Sequence, residues 1–379
     1  MRATAGSQSA AEPSTAVTAR ARVATLVGVF LASRIVAHLG VIFLAATRGR
    51  IRLLWVIARA WDGSWNLELA AHGYPKAVPP GTGPAAQSTL AFFPGYAVLV
   101  RVADAFLPGN GVWAALTVSL AAGAVATVGV ARVAERVVRP DAGLAAAAMF
   151  TLFPGAFILT LAYGEGLLIA LAAWCLVFLL DRRWLAAGLC AMAATATRPN
   201  GVVLVACCLV AAIPAYRAGD RRAWIAPALA PLGAVAVFAY LWVRTADPLV
   251  WFRAEDAGWL QHTDFGVWTL RSLGWFVTGR WDIETVIIGL GVVVATVGSR
   301  ALVRLRPPPA ILVWMVGVLA LCYTSSSLNG RPRFLLTAFP LLLPLARLPW
   351  RRLAPVLAVS GGLMTFLLWH AGANVTVAP

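Results

Sequence analysis

The sequence predicts an all-α protein that crosses a membrane many times, and three observations lead to this prediction. Hydrophobic residues make up 60% of the 379 residues, and charged residues only 12%. Apolar runs of about 20 residues, long enough to span a bilayer as a helix, recur along the chain. The basic residues are almost all arginine and cluster between those runs, as in cytoplasmic loops of membrane proteins. We therefore expect a polytopic bundle of about 10–11 spanning helices.

The order of the apolar runs defines the predicted elements. Residues 1–20, rich in Ser, Ala and Thr, predict a disordered cytoplasmic tail, and residues 21–379 a single membrane domain. The run 22–46 is too long for a signal peptide and predicts a retained first span. The later spans are expected at roughly 111–131, 141–162, 166–181, 185–214, 224–245, 284–303, 309–327, 333–347 and 353–371. The five cysteines lie in or beside these runs without metal-ligand spacing, so we interpret them as core residues.

One topology places all the arginine clusters on the cytoplasmic side. It makes residues 47–110 and 246–283 extracytoplasmic loops. The run 91–107 cannot cross the membrane in this topology, so we expect a re-entrant or interfacial helix there. The run 185–214 must enter and leave from the same side, with a break at 197–201, and a polar break needs surrounding protein or a water-filled cavity. The net charge of +16 thus reflects topology, not a nucleic-acid surface.

Polar side chains collect on the outer side of this topology. They are Asp62, Glu68, His72, Tyr74, Lys76, Tyr163, Glu165, Arg198, Asn200, Asp247, Arg253, Glu255, Asp256, His262, Asp264, Asn329, Arg331 and Arg333. Acids, cations and aromatic residues together are what acid–base and electrostatic catalysis require. Arg34 lies within the first span, where its charge must face protein or a cavity. Purely structural roles stay open as well, since Asp62 could cap a helix, and Arg198 and Arg333 could extend to lipid headgroups.

Several short patches carry a resemblance. They are Trp61-Asp62-Gly63 through Gly73-Tyr74, Ala91-Phe92-Phe93-Pro94, Tyr163-Gly164-Glu165, Arg182-Arg183-Trp184 leading to Thr197-Arg198-Pro199-Asn200-Gly201, Asp247-Pro248 through Gly258-Trp259, and Arg333-Phe334 leading to Phe339-Pro340. In order and spacing they resemble the PIG-V-type mannosyltransferases, polytopic enzymes of the GT-C glycosyltransferase class. The resemblance extends over most of the chain, and it implies a GT-C-type helix bundle.

The resemblance also implies an activity and roles for four residues. Such enzymes use a polyprenyl-phosphate sugar, typically mannose, from the extracytoplasmic side. The catalytic carboxylate of the first outer loop maps onto Asp62, and the family's next glutamate onto Glu165, although Gly164 replaces a serine. The two arginines of the pattern map onto Arg198 and Arg333. Eukaryotic members tend to have an acid soon after Gly-Tyr, where this chain has Pro75 and Lys76, so their acceptor is not carried over.

These expectations combine into a predicted mechanism in the plasma membrane. Asp62 acts as general base in an inverting transfer to a lipid or glycan acceptor. The donor phosphate is bound by Arg198, Arg333 and Arg34. Contacts to sugar or acceptor are expected from Glu165, Trp61, Trp65, His72, Tyr74, Phe93 and Asn200. No cofactor or metal is predicted, although the acids of loop 246–283 could attract a divalent cation if they are not simply solvated.

Two further classes of function compete with sugar transfer. A transporter or flippase for a lipid-linked sugar also uses broken helices and charges within the membrane. Transporters often contain internal repeats, and the sequence shows none. A non-catalytic membrane scaffold is the third class, and it would not need acids and arginines to converge on one site.

Overall fold

The computed structural model describes residues 15–48, 57–326 and 332–373 of the chain. Within these residues the protein is helical, and the only β-type pairing is an isolated bridge between Thr263 and Ser325. This confirms the predicted all-α class. The helices are α1 (Thr15–Arg48), α2 (Asp62–His72), α3 (Pro94–Asp104), α4 (Val112–Val137), α5 (Gly143–Leu152), α6 (Glu165–Leu180), α7 (Trp184–Thr195), α8 (Val203–Arg217), α9 (Ile225–Leu229), α10 (Leu232–Thr245), α11 (Val250–Trp259), α12 (Val267–Val277), α13 (Ile283–Arg304), α14 (Pro309–Tyr323), α15 (Pro332–Thr337) and α16 (Trp350–Ala373). Short 3₁₀ segments at Gly83–Ala86, Thr89–Ala91, Pro154–Thr160, Pro199–Val202, Arg221–Trp224 and Phe339–Arg347 lie between them.

Six helical segments in the described part of the chain are long and apolar enough to cross a membrane. They are Ala19–Phe43, Val112–Val137, Pro199–Arg217, Arg221–Thr245, Ile283–Arg304 and Trp350–Ala371. A seventh results if Gly143–Leu152 and Pro154–Thr160, bent by 81°, count as one span. The apolar helices α6, α7 and α14 also match predicted spans, but each is shorter than the about 17 residues that a straight span needs. The protein is therefore a multi-pass membrane protein in which several predicted spans are short helices.

The predicted span 333–347 is the clearest departure from a spanning helix. The segment consists of the six-residue helix α15 and the 3₁₀ segment Phe339–Arg347. Pro340 and Pro344 lack the N–H groups that a continuous α-helix would use. The side chains of Phe339 and Leu343 are fully buried inside the protein. The segment is thus apolar because it packs in the core of the bundle.

The first predicted outer loop contains two helices, α2 and α3. Before them, residues 57–59 are also helical, and a turn in which Trp61 has a φ of 49° separates them from α2, which begins at Asp62. Residues 49–56 lie outside the described residues. Helix α3 has 11 residues, too few to cross a bilayer, and exposes Val98, Leu99 and Val102. It thus has the length and the exposed apolar face of an interfacial helix.

The N-terminal tail also differs in part from the prediction. Residues 1–14 lie outside the described residues, whereas 15–20 are already helical as the first turns of α1. A continuous apolar sequence follows directly, and helix formation is cooperative, so the helix extends back into the Ala- and Thr-containing segment.

Polar contacts bring several arginine clusters to one end of the bundle. Arg22 pairs with Glu135 at 3.1 Å, and Arg136 with Asp181 at 2.7 Å. The indole N–H of Trp184 donates to Asp220 at 2.7 Å. The last contact joins the start of α7 to the segment after α8, so the predicted run 185–214 does enter and leave at the same end. The predicted break is the 3₁₀ segment Pro199–Val202 between these two helices.

Helix α6 lies at the centre of the bundle and packs against α4 and α7. Small residues allow the helices to approach closely, as is common in membrane proteins. A Cβ atom on Gly129 of α4 would lie 2.9 Å from the Cβ of Ala173 on α6. The N-terminus of α6 reaches the opposite end of the bundle from Asp181. Its first residue, Glu165, is thereby fixed at the end where the polar site forms.

Gly155 offers a test of the packing behind this site. A side chain there would overlap the backbone of Pro332 and Arg333 at the start of α15. We expect Gly155→Ala to lower the free energy of unfolding by about 2 kcal/mol, as overpacking of a core does. The measurement is a thermal melt in detergent, with Gly362→Ala in α16 as control, because no atom lies within 4 Å of a Cβ placed there. Equal melting temperatures for the two variants would contradict this packing.

Candidate active site

Four charged residues that the sequence singled out converge at helix ends. Asp62 is the first residue of α2, and Glu165 is the first residue of α6. The positive end of a helix dipole stabilises a carboxylate at both positions. Arg198 lies in the break that precedes Pro199–Val202, and Arg333 is the second residue of α15. The local structure thus places each charge where a helix starts or is interrupted.

The four side chains form a chain of alternating charge. Arg333 Nη1 lies 3.1 Å from Asp62 Oδ2 and 3.9 Å from Glu165 Oε1. Arg198 Nη1 lies 3.0 Å from Glu165 Oε2. Glu165 is only 1% exposed, whereas the other three side chains are 19–21% exposed. Because two acids face two arginines, the cluster is neutral overall and can be held in a water-poor site.

Several hydrogen-bonding groups of the cluster remain unused. Arg198 Nε has no hydrogen-bond partner among the described residues, although it is buried. Asp62 uses Oδ2 for Arg333, and no described residue donates a hydrogen bond to Oδ1. A buried donor without a partner is costly unless a ligand or water satisfies it. The cluster therefore has the capacity to bind an anion and to accept a proton.

Aromatic residues contact the backbone of Asp62 and the side chain of Arg333. The backbone N–H of Asp62 donates to the Tyr163 hydroxyl at 3.1 Å. The Arg333 guanidinium lies over the Tyr163 ring at 5.9 Å and over the Phe334 ring at 4.6 Å. Both distances permit cation–π attraction. Tyr163 thus contacts both partners of the Asp62–Arg333 pair.

The cluster opens into a cavity of about 840 Å³. Its polar wall includes Asp62, Asn66, Arg198, Asn200, Glu255, Asp256, Gln261, His262 and Arg333. Its apolar wall includes Phe93, Val202, Ala234, Phe238, Trp251, Val318 and Leu321. A volume of this size accommodates a small organic ligand. Glu165 does not line the cavity but lies behind the two arginines, with which it pairs.

Some residues predicted to contact sugar or acceptor lie near the cavity. Phe93 and Asn200 line it. Trp65 packs against two lining residues, Phe92 at 6.3 Å and Trp259 at 5.7 Å between ring centroids. Trp65 thus supports the wall from behind.

Three further residues that were predicted to contact sugar or acceptor lie outside the cavity lining. Trp61 is 38% exposed and does not line the cavity. His72 points to the surface, where it pairs with Glu68 at 3.0 Å. Tyr74 is buried beneath the cavity wall, and its hydroxyl donates to the Phe92 carbonyl at 2.6 Å. The three residues share the loop with Asp62, but Trp61 lies in the turn before α2, His72 at its end and Tyr74 after it, and none of them lines the cavity.

Arg34 also lies outside the candidate site. Its guanidinium donates to the carbonyl oxygens of Ala156 and Thr151, both at 2.6 Å, and to the Thr160 hydroxyl at 3.1 Å. It does not line the cavity. A buried arginine needs such acceptors, and here they belong to the bent segment Pro154–Thr160 and the helix before it. Arg34 therefore stabilises that bend and is not placed to bind a donor phosphate.

Helix α11 contributes cavity residues of which the sequence singled out only the acids Glu255 and Asp256, as outer polar groups. Trp251, Glu255 and Trp259 line the cavity at a spacing of four residues, which places them on one face of the helix. This periodicity is visible in the sequence, although 246–283 was expected to be a loop. Burial, together with the negative charge of Asp62, raises the pKa of Glu255 to about 7, and the positive charge of Arg198 partly offsets this. Within the described residues, no three His, Cys, Asp or Glu side chains come together as a metal site.

The fold is that of the GT-C class of membrane glycosyltransferases. The oligosaccharyltransferase of Archaeoglobus fulgidus, in its apo form, matches 92% of this chain with a TM-score of 0.52 and 12% identity. The same organism's AglB, in complex with an inhibitory peptide and a dolichol-phosphate, matches 92% with a TM-score of 0.52 and 14% identity. ArnT from Cupriavidus metallidurans bound to undecaprenyl phosphate matches 78% with a TM-score of 0.48 and 19% identity.

These matches concern the fold. The chain spans 56% of the length of both oligosaccharyltransferase chains and 57% of ArnT. No protein-family model matches the sequence, and no curated protein matches it.

Proposed function

We propose that the protein is a membrane glycosyltransferase related to the PIG-V-type enzymes. It moves a sugar, with mannose as the first candidate, from a polyprenyl-phosphate donor to a lipid or glycan acceptor. The reaction takes place on the extracytoplasmic side of the plasma membrane. The observation that carries this proposal is the Asp62–Arg333–Glu165–Arg198 chain of charges at one end of a cavity with one polar and one apolar wall.

The phosphate and the isoprenoid tail of the donor fit different walls of this cavity. A phosphate is an anion that arginine binds through paired hydrogen bonds, and Arg198 and Arg333 both line the cavity. An isoprenoid tail needs an apolar surface, which Val202, Phe238 and Leu321 provide on the adjacent wall. The structurally similar AglB was solved with a dolichol-phosphate, a ligand of the same chemical class.

Donor binding would also prepare the base. Asp62 is paired with Arg333 at 3.1 Å in the unliganded protein. A phosphate that approaches Arg333 competes with Asp62 for the guanidinium, which leaves the carboxylate less strongly paired. A carboxylate oxygen released from Arg333 is free to accept a hydrogen bond from the acceptor hydroxyl. The donor phosphate therefore activates the residue that must act next.

The reaction is a single inverting displacement. The acceptor hydroxyl oxygen forms a bond to the anomeric carbon as the bond between that carbon and the phosphate oxygen breaks. The hydroxyl proton passes to Asp62, whose Oδ1 is free of hydrogen bonds from described residues. The bonding electron pair leaves with the phosphate, whose added negative charge is neutralised by Arg198 and Arg333. Phosphate is a stable leaving anion, so no strong general acid is required.

Sugar transfer and transport can be separated in one reconstituted system. Purified protein in sealed liposomes is given radiolabelled polyprenyl-phosphate mannose, a panel of other polyprenyl-phosphate sugars, and a lipid and glycan extract as acceptor. A labelled product that no longer contains the polyprenyl carrier supports the proposal. Movement of intact lipid-linked sugar to the other leaflet, without cleavage, would instead support a flippase. Absence of both reactions would favour a scaffold.

A further inference from the structure

Helix α11 is attached firmly to the first-loop segment beside the cavity. The indole N–H of Trp251 donates to the Ala91 carbonyl at 3.1 Å. The Trp259 ring packs edge-on against Phe92 at 5.5 Å. Gly258 lies close to the backbone of the first-loop segment, because a Cβ atom at this position would be 3.0 Å from Gln87 Cα. Contacts along the length of the helix therefore hold the face formed by Trp251, Glu255 and Trp259 in a fixed orientation toward the cavity.

Glu255 lies at the centre of this face, and in the part of the chain that the structure describes no cation pairs with it. Among the described residues, the other charged and titratable groups around the cavity are Asp62 on α2, Tyr96 on α3, Glu165 on α6, Arg198 in the helix break, Arg253 and Asp256 on α11, His262 after it, Cys322 on α14 and Arg333 on α15. Arg253 pairs with Asp247, Arg198 with Glu165 and Arg333 with Asp62. Within the described residues, no arginine or histidine forms an ion pair with Glu255. The carboxyl group is thus available for a ligand.

A carboxyl group between two indole rings suits one kind of ligand. The rings provide flat apolar surfaces, and the carboxyl group bonds to hydroxyls at the edge of a ring lying on them. The arginines that would bind the donor phosphate pair with Asp62 of α2 and Glu165 of α6, not with a residue of α11. The α11 face is therefore available to the second substrate, the acceptor.

We propose that Trp251, Glu255 and Trp259 form an acceptor subsite for a sugar ring, with Glu255 as the residue that recognises its hydroxyl groups. This inference rests on the proposed function and names the part of the acceptor that the protein binds. Glu255 does not exchange a proton with the reacting atoms. It is a positioning residue that holds the acceptor so that another hydroxyl faces Asp62.

The protonation state of Glu255 determines how well this subsite works. Its pKa is raised to about 7 by burial and by the charge of Asp62, so below pH 7 it is a neutral acid. The neutral acid can donate one hydrogen bond and accept another from a sugar hydroxyl. As the pH rises through about 7 this hydrogen-bond donor is lost, and a negative charge that Arg198 offsets only in part forms near Asp62. We expect acceptor affinity to be highest below pH 7 and to fall above it.

The first test measures sugar binding without transfer. Saturation-transfer NMR with methyl α-mannoside and methyl β-glucoside as probes gives the affinity of the purified full chain from pH 5.5 to 8.5. We expect the wild-type protein to bind at least one probe, with an affinity that falls about tenfold as the pH rises through 7. A tenfold change is the size expected for the loss of one hydrogen bond. Glu255→Gln should bind equally at all pH values, because its amide stays neutral and still donates. Failure of both probes to bind, or wild-type pH dependence in Glu255→Gln, would overturn the subsite.

The second test uses transfer kinetics. Glu255→Ala should raise the acceptor KM about tenfold, with the donor KM and kcat changed less than about twofold. Asp141→Asn, an exposed acid near Arg139 at the arginine-rich end, is the control and should match the wild type. A loss of kcat at unchanged KM would show that Glu255 does not position the acceptor. Sugar binding without any transfer would leave the subsite intact and contradict the proposed function.

Discussion

The Asp62→Asn variant is expected to transfer sugar about 10²–10⁴-fold more slowly than the wild-type protein, the range that general base catalysis contributes. Asparagine has the size of aspartate and can still accept a hydrogen bond from Arg333, which lies 3.1 Å from Oδ2. Its amide oxygen cannot take up the proton of an acceptor hydroxyl. The measurement is the initial rate with radiolabelled polyprenyl-phosphate mannose at saturating donor.

Glu68→Gln is the matched control for Asp62→Asn. Glu68 lies on the same helix, but its side chain is 53% exposed and pairs with His72 at the surface. We expect this variant to keep the wild-type rate. A thermal melt of both variants separates a chemical defect from loss of fold. A rate for Asp62→Asn within threefold of wild type, on the order of a single weak contact, would remove Asp62 from the mechanism.

Arg198→Gln is expected to lose both stability and activity. Glu165 is 1% exposed and has Arg198 as its near partner at 3.0 Å, with Arg333 farther away at 3.9 Å. Removing Arg198 leaves a buried carboxylate incompletely paired, which costs about 3 kcal/mol in the free energy of unfolding. The donor KM should rise as well, because one phosphate ligand is lost. Thermal melts in detergent and transfer kinetics measure the two effects.

The double variant Glu165→Gln/Arg198→Gln distinguishes the two causes. It removes both charges, so we expect it to recover most of the lost stability while transfer stays impaired. Arg136→Gln is the control, since its pair with Asp181 at the other end is about one third exposed. Breaking an exposed pair costs about 0–1 kcal/mol. If Arg136→Gln and Arg198→Gln lower the free energy of unfolding equally, the burial of Glu165 does not make the loss of its partner more costly.

The charged residues of the candidate site follow from the sequence to different extents. The positive-inside topology assigned Asp62, Glu165, Arg198 and Arg333 to one side, and the structure brings these four together. The same topology assigned His72 there, but a position on the correct side does not define where a side chain points. Arg34 was expected to face protein or a cavity, and its side chain is buried in protein. Hydropathy alone could not reveal that backbone carbonyls of Thr151 and Ala156 would be its partners.

The elements of the fold also follow from the sequence to different extents. Pro199 in a long apolar run predicted a break, and a 3₁₀ segment begins there. The run 333–347 was expected to span, although Pro340 and Pro344 are equally visible in the sequence. Apolar composition is the same for a lipid-facing helix and for a segment buried in protein, so composition could not separate the two. Helix α11 was not predicted because its apolar face is short and interrupted by acids.

The amino-acid sequence by itself determined that the chain is a helical membrane protein and where polar residues interrupt its apolar runs. These are local properties, since hydropathy and charge are set by neighbouring residues. Only the tertiary structure decided that Asp62 pairs with Arg333, 271 residues away, and that Glu255 faces the same cavity between two tryptophans. Such pairings depend on how close-packed helices cross in three dimensions. No local sequence pattern determines which distant residues come into contact.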